Sequence, residues 1–278
     1  MKKILIYHLY IAEDFDTNFA YKINHTCLKN YINVFDKLNF TITVDDISDK
    51  NLINKGFKWI EELGFNCEYS INVTNNDYYR EAKTFYDNVI KSKEVDNEIY
   101  FFSHCKGISN YRQDDWDKWS IFYWICTLYF YSLEFIEDVE KSFTGNIMYT
   151  YPKMYYGSIM ALYNREKYKR KDSLGCIEYL GSFYWINMPM FQNYQKENII
   201  KNIKLDSRHL AEEFPGLYFK YKDNDGLTSR NNACIDALSF DFGTTIKEVW
   251  PECIRFLGDY DEFYEFFNKI LKETNFNG

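Results

Sequence analysis

No excess of cationic residues marks this chain: its formal net charge is −8. A broad phosphate-backbone surface needs clustered Lys and Arg to displace counterions, so nucleic acid is not an expected partner. No Cys-x-x-Cys pair occurs either. The seven cysteines, at 27, 67, 105, 126, 176, 234 and 253, are odd in number and scattered, which argues against a disulfide framework or a zinc knuckle. Reduced thiols, and with them a cytoplasmic location, fit better. There is no Walker or dinucleotide glycine loop, which disfavours kinase and dehydrogenase chemistry. After Met1-Lys2-Lys3 the apolar run is too short for a signal-peptide core and reads as a first strand. Without such a signal the Asn-x-Thr matches at Asn24, Asn39 and Asn72 are read as chance. Glycine and proline are sparse, 12 and 4 residues, and neither a linker nor a repeat interrupts the chain, so one domain over 1–278 is expected.

What is present is apolar and aromatic: 46% hydrophobic and 20% aromatic residues, enough for a substantial core. The periodicity reads as strand Ile4 to Tyr7, helix Phe19 to Phe35, strand Phe40 to Val44, helix Leu52 to Leu63 and strand Cys67 to Val73. A helix from Tyr78 to Ile90, entered through Asn75-Asn76-Asp77 as cap, then leads to a strand at Ile99 to Phe102. This alternation predicts an α/β fold with a mainly parallel sheet covered by helices on both faces. Ligands of such sheets bind at the carboxyl ends of the strands. From Trp119 to Leu133 no charge occurs, and the stretch is apolar nearly all round. It is shorter than the roughly 20 residues that span a bilayer, so a buried core helix is expected, with any membrane contact limited to the periphery. Asp259 to Glu273, with Tyr260, Phe263, Tyr264, Phe267, Ile270 and Leu271 at helical spacing, is predicted to pack back on the domain.

Four segments can carry chemistry. Ser103-His104-Cys105-Lys106-Gly107 ends the fourth strand, where His104 and Lys106 can neutralise a diphosphate directly; an exposed turn is the alternative. Gly181-Ser182-Phe183-Tyr184-Trp185-Ile186-Asn187 offers rings and polar tips to a sugar, or is a core strand. Arg208 and Glu212 stand one helical turn apart, as an ordinary surface ion pair would. Asp45 and Asp46 end the second strand, to meet a nucleoside or to open a turn.

Taken in order, these segments resemble a GT-A-type glycosyltransferase family of bacterial and viral polysaccharide or glycan assembly. Its members carry a His-x-Lys-Gly-Val pattern, a Trp-containing helix, a Gly-Asn-Phe-Trp-Trp-like strand and an Arg-x-x-Ala-Glu-x-Phe/Trp segment. Here these correspond to His104-Cys105-Lys106-Gly107-Ile108, to Trp116 and Trp119, to Gly181 to Asn187, and to Arg208 to Phe214, over residues 1 to 219. Ser182 and Tyr184 depart from the family's Asn and Trp, and no Asp-x-Asp follows the fourth strand, which leaves dependence on manganese or magnesium open.

The resemblance implies a single GT-A-like, Rossmann-related domain, with a nucleotide-sugar-binding half at 1–110 and an acceptor half with the C-terminal helices at 111–278. It implies transfer of a sugar from a nucleotide-diphosphate sugar, a UDP-sugar being favoured, to a glycan hydroxyl by single displacement. Lys106 and His104 would stabilise the leaving diphosphate, and Tyr7, His8, Asp45 and Asp46 would join them around the donor. Glu212 would be the base, Arg208 would hold phosphates or orient Glu212, and Ser182, Tyr184 and Trp185 would line the acceptor side. A non-catalytic glycan-binding protein, or an interaction protein docking through Trp119 to Leu133, are the competing expectations.

Overall fold

The structure is a computed structural model that describes residues 1–111, 118–145, 155–157, 160–162, 177–179, 182–197, 203–205, 210–211, 214, 224–226, 235–236 and 260–277. The predicted alternation is present. In chain order come β1 (Lys2–Tyr10), α1 (Phe19–Tyr31), β2 (Lys37–Val44), α2 (Lys50–Glu61), β3 (Glu68–Asn75), α3 (Glu81–Phe85) and β4 (Glu98–His104). The second half holds α4 (Ile108–Tyr111), α5 (Lys118–Leu133), α6 (Ile136–Thr144), β5 (Tyr155–Gly157), β6 (Met160–Leu162), β7 (Ile177–Tyr179) and β8 (Tyr184–Asn187). It ends with α7 (Met188–Lys196), β9 (Asn224–Gly226), β10 (Ile235–Asp236) and α8 (Tyr260–Thr274).

Seven strands form one sheet in the order β3-β2-β1-β4-β8-β5-β9. The four from the first half run parallel, as βαβ crossovers require, whereas β8 pairs antiparallel with β4. β6, β7 and β10 form a separate small sheet. The architecture is that of a Rossmann-like α/β domain with a mostly parallel sheet.

Strand alternation divides the core. Leu5, Tyr7, Leu9, Phe101 and Trp185 pack with α1, α5 and α8, while Ile4, Ile6, Phe102, Tyr184 and Ile186 pack with α3 and α7. Helix α5, uncharged after Lys118, needs cover all round, and it has it. α1 lies along it, and on its outer side Phe263 of α8 meets Tyr123, Phe130 and Tyr131 while Phe276 stacks on Phe122 at 4.8 Å. The stretch from Trp119 to Leu133 is core, as expected, and not the docking surface of the competing reading; Trp119 at its start is exposed. Among the described residues no helix is long and apolar enough to cross a membrane.

Most predicted boundaries move by two or three residues, and two of the shifts have a visible local cause. α1 stops at Tyr31 and tightens into a 3-10 turn, Ile32–Val34, short of Phe35. α3 begins at Glu81 instead of Tyr78, because the Asp77 carboxylate accepts the N–H groups of Tyr79 and Arg80 and holds that stretch as a turn.

After β4 the chain reverses at Gly107, whose φ of +83° suits glycine. A Cβ there would stand 2.8 Å from Ile121 Cγ2 and 3.1 Å from Ile125 Cδ1 of α5. Gly107→Ala therefore combines backbone strain with overpacking and is expected to cost on the order of 2–4 kcal/mol in chemical denaturation. An unchanged midpoint would contradict this packing of the turn.

Candidate functional site

A cleft of about 290 Å3 opens at the carboxyl ends of β1, β3 and β4. His8 and Tyr10 come from β1, Asn76, Arg80 and Glu81 from the loop after β3 and the start of α3, and His104 to Ser109 from β4 and the turn that follows. This is where a parallel sheet places ligands, because the strand ends and the loops after them converge there.

The turn that carries Lys106 is fixed from below. Asn24, fully buried in α1, accepts the Lys106 N–H at 3.0 Å and donates to the Lys106 carbonyl at 2.7 Å. Tyr129 of α5 donates to the same Asn24 oxygen, and its hydroxyl meets that of Tyr7 at 2.8 Å. Asn18, the cap of α1, adds a bond from its carboxamide to the Ile108 carbonyl. Polar groups buried this deeply are tolerated because each has a partner. The Lys106 ammonium, borne on this turn, lies 4.6 Å from the centre of the Trp124 ring, a cation-π contact.

Two imidazoles form the floor. His8 and His104 are cross-strand partners on neighbouring parallel strands, only 4% and 7% exposed. His8 Nδ1 is 2.8 Å from Thr84 Oγ1. His104 Nδ1 faces a Glu81 carboxylate oxygen at 3.8 Å, close for a charge pair but long for a hydrogen bond, and its Nε2 is buried without a partner among the described residues. Burial pushes His8 down to about 3. Burial, then the nearby Lys106 charge, then His8, hold His104 well below the usual histidine range. Both rings are thus neutral at physiological pH. Burial also pushes the Cys105 thiol up, so it is no thiolate nucleophile at neutral pH.

Arg80 stands at the mouth. Its guanidinium is exposed, and its backbone, at φ 48° and ψ −128°, is strained for a residue with a side chain. On the rim Asp45 accepts from Tyr10 Oη at 2.7 Å and from Asn76 Nδ2 at 2.8 Å, tying together the ends of β1, β2 and β3.

No protein-family model and no curated protein matches the chain.

Of the residues expected around the donor, the structure brings together His8, His104 and Lys106, and Asp45 joins them through Tyr10 and Asn76. Tyr7 does not belong with them. Its ring is buried on the opposite face of the sheet, stacked on Trp59, with its hydroxyl given to Tyr129. Asp46 closes a turn by accepting from the Ser48 N–H and hydroxyl. The acceptor assignment of Tyr184 and Trp185 is corrected as well. Both are fully buried, Tyr184 donating to the Ala211 carbonyl and Trp185 to that of Ser132, so neither ring is open to a sugar. Ser182 is equally buried, at φ 58°. Arg208 and Glu212 lie outside the described residues; between and beyond them, Leu210, Ala211 and Phe214 are buried in the core around α3.

Arg80, Glu81, Tyr10 and Asn76 were not anticipated as site residues. Their signal was available, because Asn75-Asn76-Asp77 ends a strand and opens a helix, and the rule that drew attention to His104 applies there equally.

The buried histidines make acid a destabilising condition. The unfolded chain binds protons below its histidine pKa of about 6.5, while native His8 and His104 do not until far lower pH. Stability is therefore lost as pH falls from that value toward the native ones, by up to about 1.4 kcal/mol per pH unit for each ring. Denaturation midpoints measured between pH 7 and 4.5 should fall, and His8→Gln should flatten the slope; an unchanged slope in that variant would contradict a neutral buried His8.

Proposed function

We propose that this chain is a glycosyltransferase that holds a nucleotide-diphosphate sugar in the cleft and transfers the sugar to a glycan hydroxyl. The observation that carries the proposal is the pairing of two cations, Lys106 on a clamped turn and Arg80 at the mouth, over neutral imidazoles at the carboxyl ends of parallel strands. Such a site favours a doubly charged anion, since the two cations attract it. The motif order from His104 to Phe214 supports the transferase class.

In this reading the leaving diphosphate is neutralised as it departs by Lys106 and Arg80. Lys106 is preorganised, because Asn24 fixes its peptide groups before ligand arrives. Arg208 and Glu212 keep their proposed roles as phosphate ligand and base for the incoming hydroxyl, with inversion as the outcome of a single displacement. A divalent cation does not fit the described acidic groups. Both Asp45 oxygens have donors, Asp46 is turned onto Ser48, and no cluster of three metal-ligating side chains occurs among the described residues. No step is therefore assigned to a metal.

The glycan-binding alternative loses the aromatic segment that suggested it, since Tyr184 and Trp185 are core.

Thermal unfolding with nucleoside diphosphates and their sugars tests the proposal. A selective rise in melting temperature that survives EDTA and disappears in Lys106→Ala is expected; no response to any nucleotide in a folded sample would overturn it. Arg80→Gly should weaken the same response while leaving basal stability unchanged or raised by up to about 1 kcal/mol, because glycine relieves the backbone strain. A clear loss of basal stability in that variant would contradict the strain.

A further inference from the structure

A second cavity, of about 470 Å3, lies between the N-terminal half of α1 and the end of α2. Asn18 lines this groove, Ile108 lines the cleft, and the Asn18 carboxamide donates to the Ile108 carbonyl at 3.1 Å, so a buried hydrogen bond links the walls of the two spaces.

The chemistry of the groove differs from that of the cleft. Phe15 and Phe19, both half-buried, give its wall aromatic surface, and the buried Trp59 meets His25 in a T-shaped contact at 5.0 Å. Its cation is already engaged, since the Lys22 ammonium donates to the Thr274 carbonyl at 2.5 Å. Asp16 is paired with Lys55. The group left over is His25, whose Nε2 is buried without a partner, and which burial and the Lys29 charge hold below the usual histidine range. Glu62, 57% exposed, offers carboxylate oxygens beside it, with Lys58 only at 3.7 Å. Two carboxylates, Asp16 and Glu62, outnumber the one lysine, Lys22, in the lining, so the groove does not favour an anion. A neutral polyol would find apolar rings for its C–H faces, and an imidazole nitrogen and a carboxylate that accept from its hydroxyls.

We propose that this groove holds the acceptor glycan, a neutral oligosaccharide whose reacting end passes over the turn at 106–109 into the cleft. Its assignment to an acceptor rests on the transferase reading. Binding there does not, and the two fail separately.

The test is capture of the full chain on an array of neutral oligosaccharides of hexose, N-acetylhexosamine and deoxyhexose units, with the best binder then titrated by calorimetry. Wild type and Lys106→Ala should bind the same oligosaccharide, and His25→Ala and Phe15→Ala should bind it at least about tenfold more weakly, with the nucleotide response of the wild type retained. Glu62→Gln, at an exposed position, carries the same expectation should either of those variants fold poorly. Capture that persists in all three groove variants, or no capture by wild type that still responds to nucleotide, would overturn the groove. Groove-dependent capture by a chain that responds to no nucleotide would uphold the groove and remove the donor reading.

Discussion

Asn24 uses both ends of its carboxamide on the peptide groups of one residue, Lys106, and the candidate site depends on that clasp. An N–H and a carbonyl buried at a turn must be paired, and a neighbouring strand is unavailable where the sheet has ended. A buried Asn can substitute for a strand because its side chain is itself an amide. Tyr129 and Tyr7 complete the chain of hydrogen bonds, and in a low-dielectric interior such a network is costly to leave incomplete. The turn is thereby fixed on one side by α1 and on the other by Ile121 and Ile125 against Gly107. Lys106 is presented from a rigid base.

The electrostatics follow from burial more than from composition. In this acidic chain the cleft is lined by two cations, Lys106 and Arg80, and by two imidazoles too buried to charge. The positive charge is concentrated at Lys106 and Arg80, and the rings of His8 and His104 remain neutral hydrogen-bonding surfaces. Glu81 at the edge balances the cleft and stands within reach of His104. On the other side of the turn the balance reverses, since Lys22 is committed to the end of α8 and aromatic rings take over. One clamped segment thus stands between the cleft proposed for the diphosphate and the groove proposed for the glycan.

Much of this was legible in the order of residues. The strand and helix periods of the first half recur in β1 to β4 with boundaries moved by a few residues, because apolar alternation is set by which face each strand buries. The uncharged stretch before Leu133 had to be core, and Phe263, Phe267 and Phe276 of the last segment cover it. His104 and Lys106 were found because a strand end followed by glycine is a local signal. Arg80 and Glu81 carry a comparable local signal, the end of β3 at Asn75-Asn76-Asp77, but they lie past the turn that Asp77 closes, so their place at the cleft is visible only in the fold. Tyr184 and Trp185 misled for a related reason. An aromatic run looks the same whether it faces a sugar or Phe35 and Phe101, and only the pairing of β8 beside β4 decides it.

The most direct test of the central claim is a crystal structure of the protein with a bound nucleoside diphosphate. The account predicts the diphosphate between Lys106 and Arg80, above His8 and His104, with the Asn24 clasp unchanged from the free protein. A diphosphate bound at another site, or one held in this cleft without contact to Lys106, would contradict it.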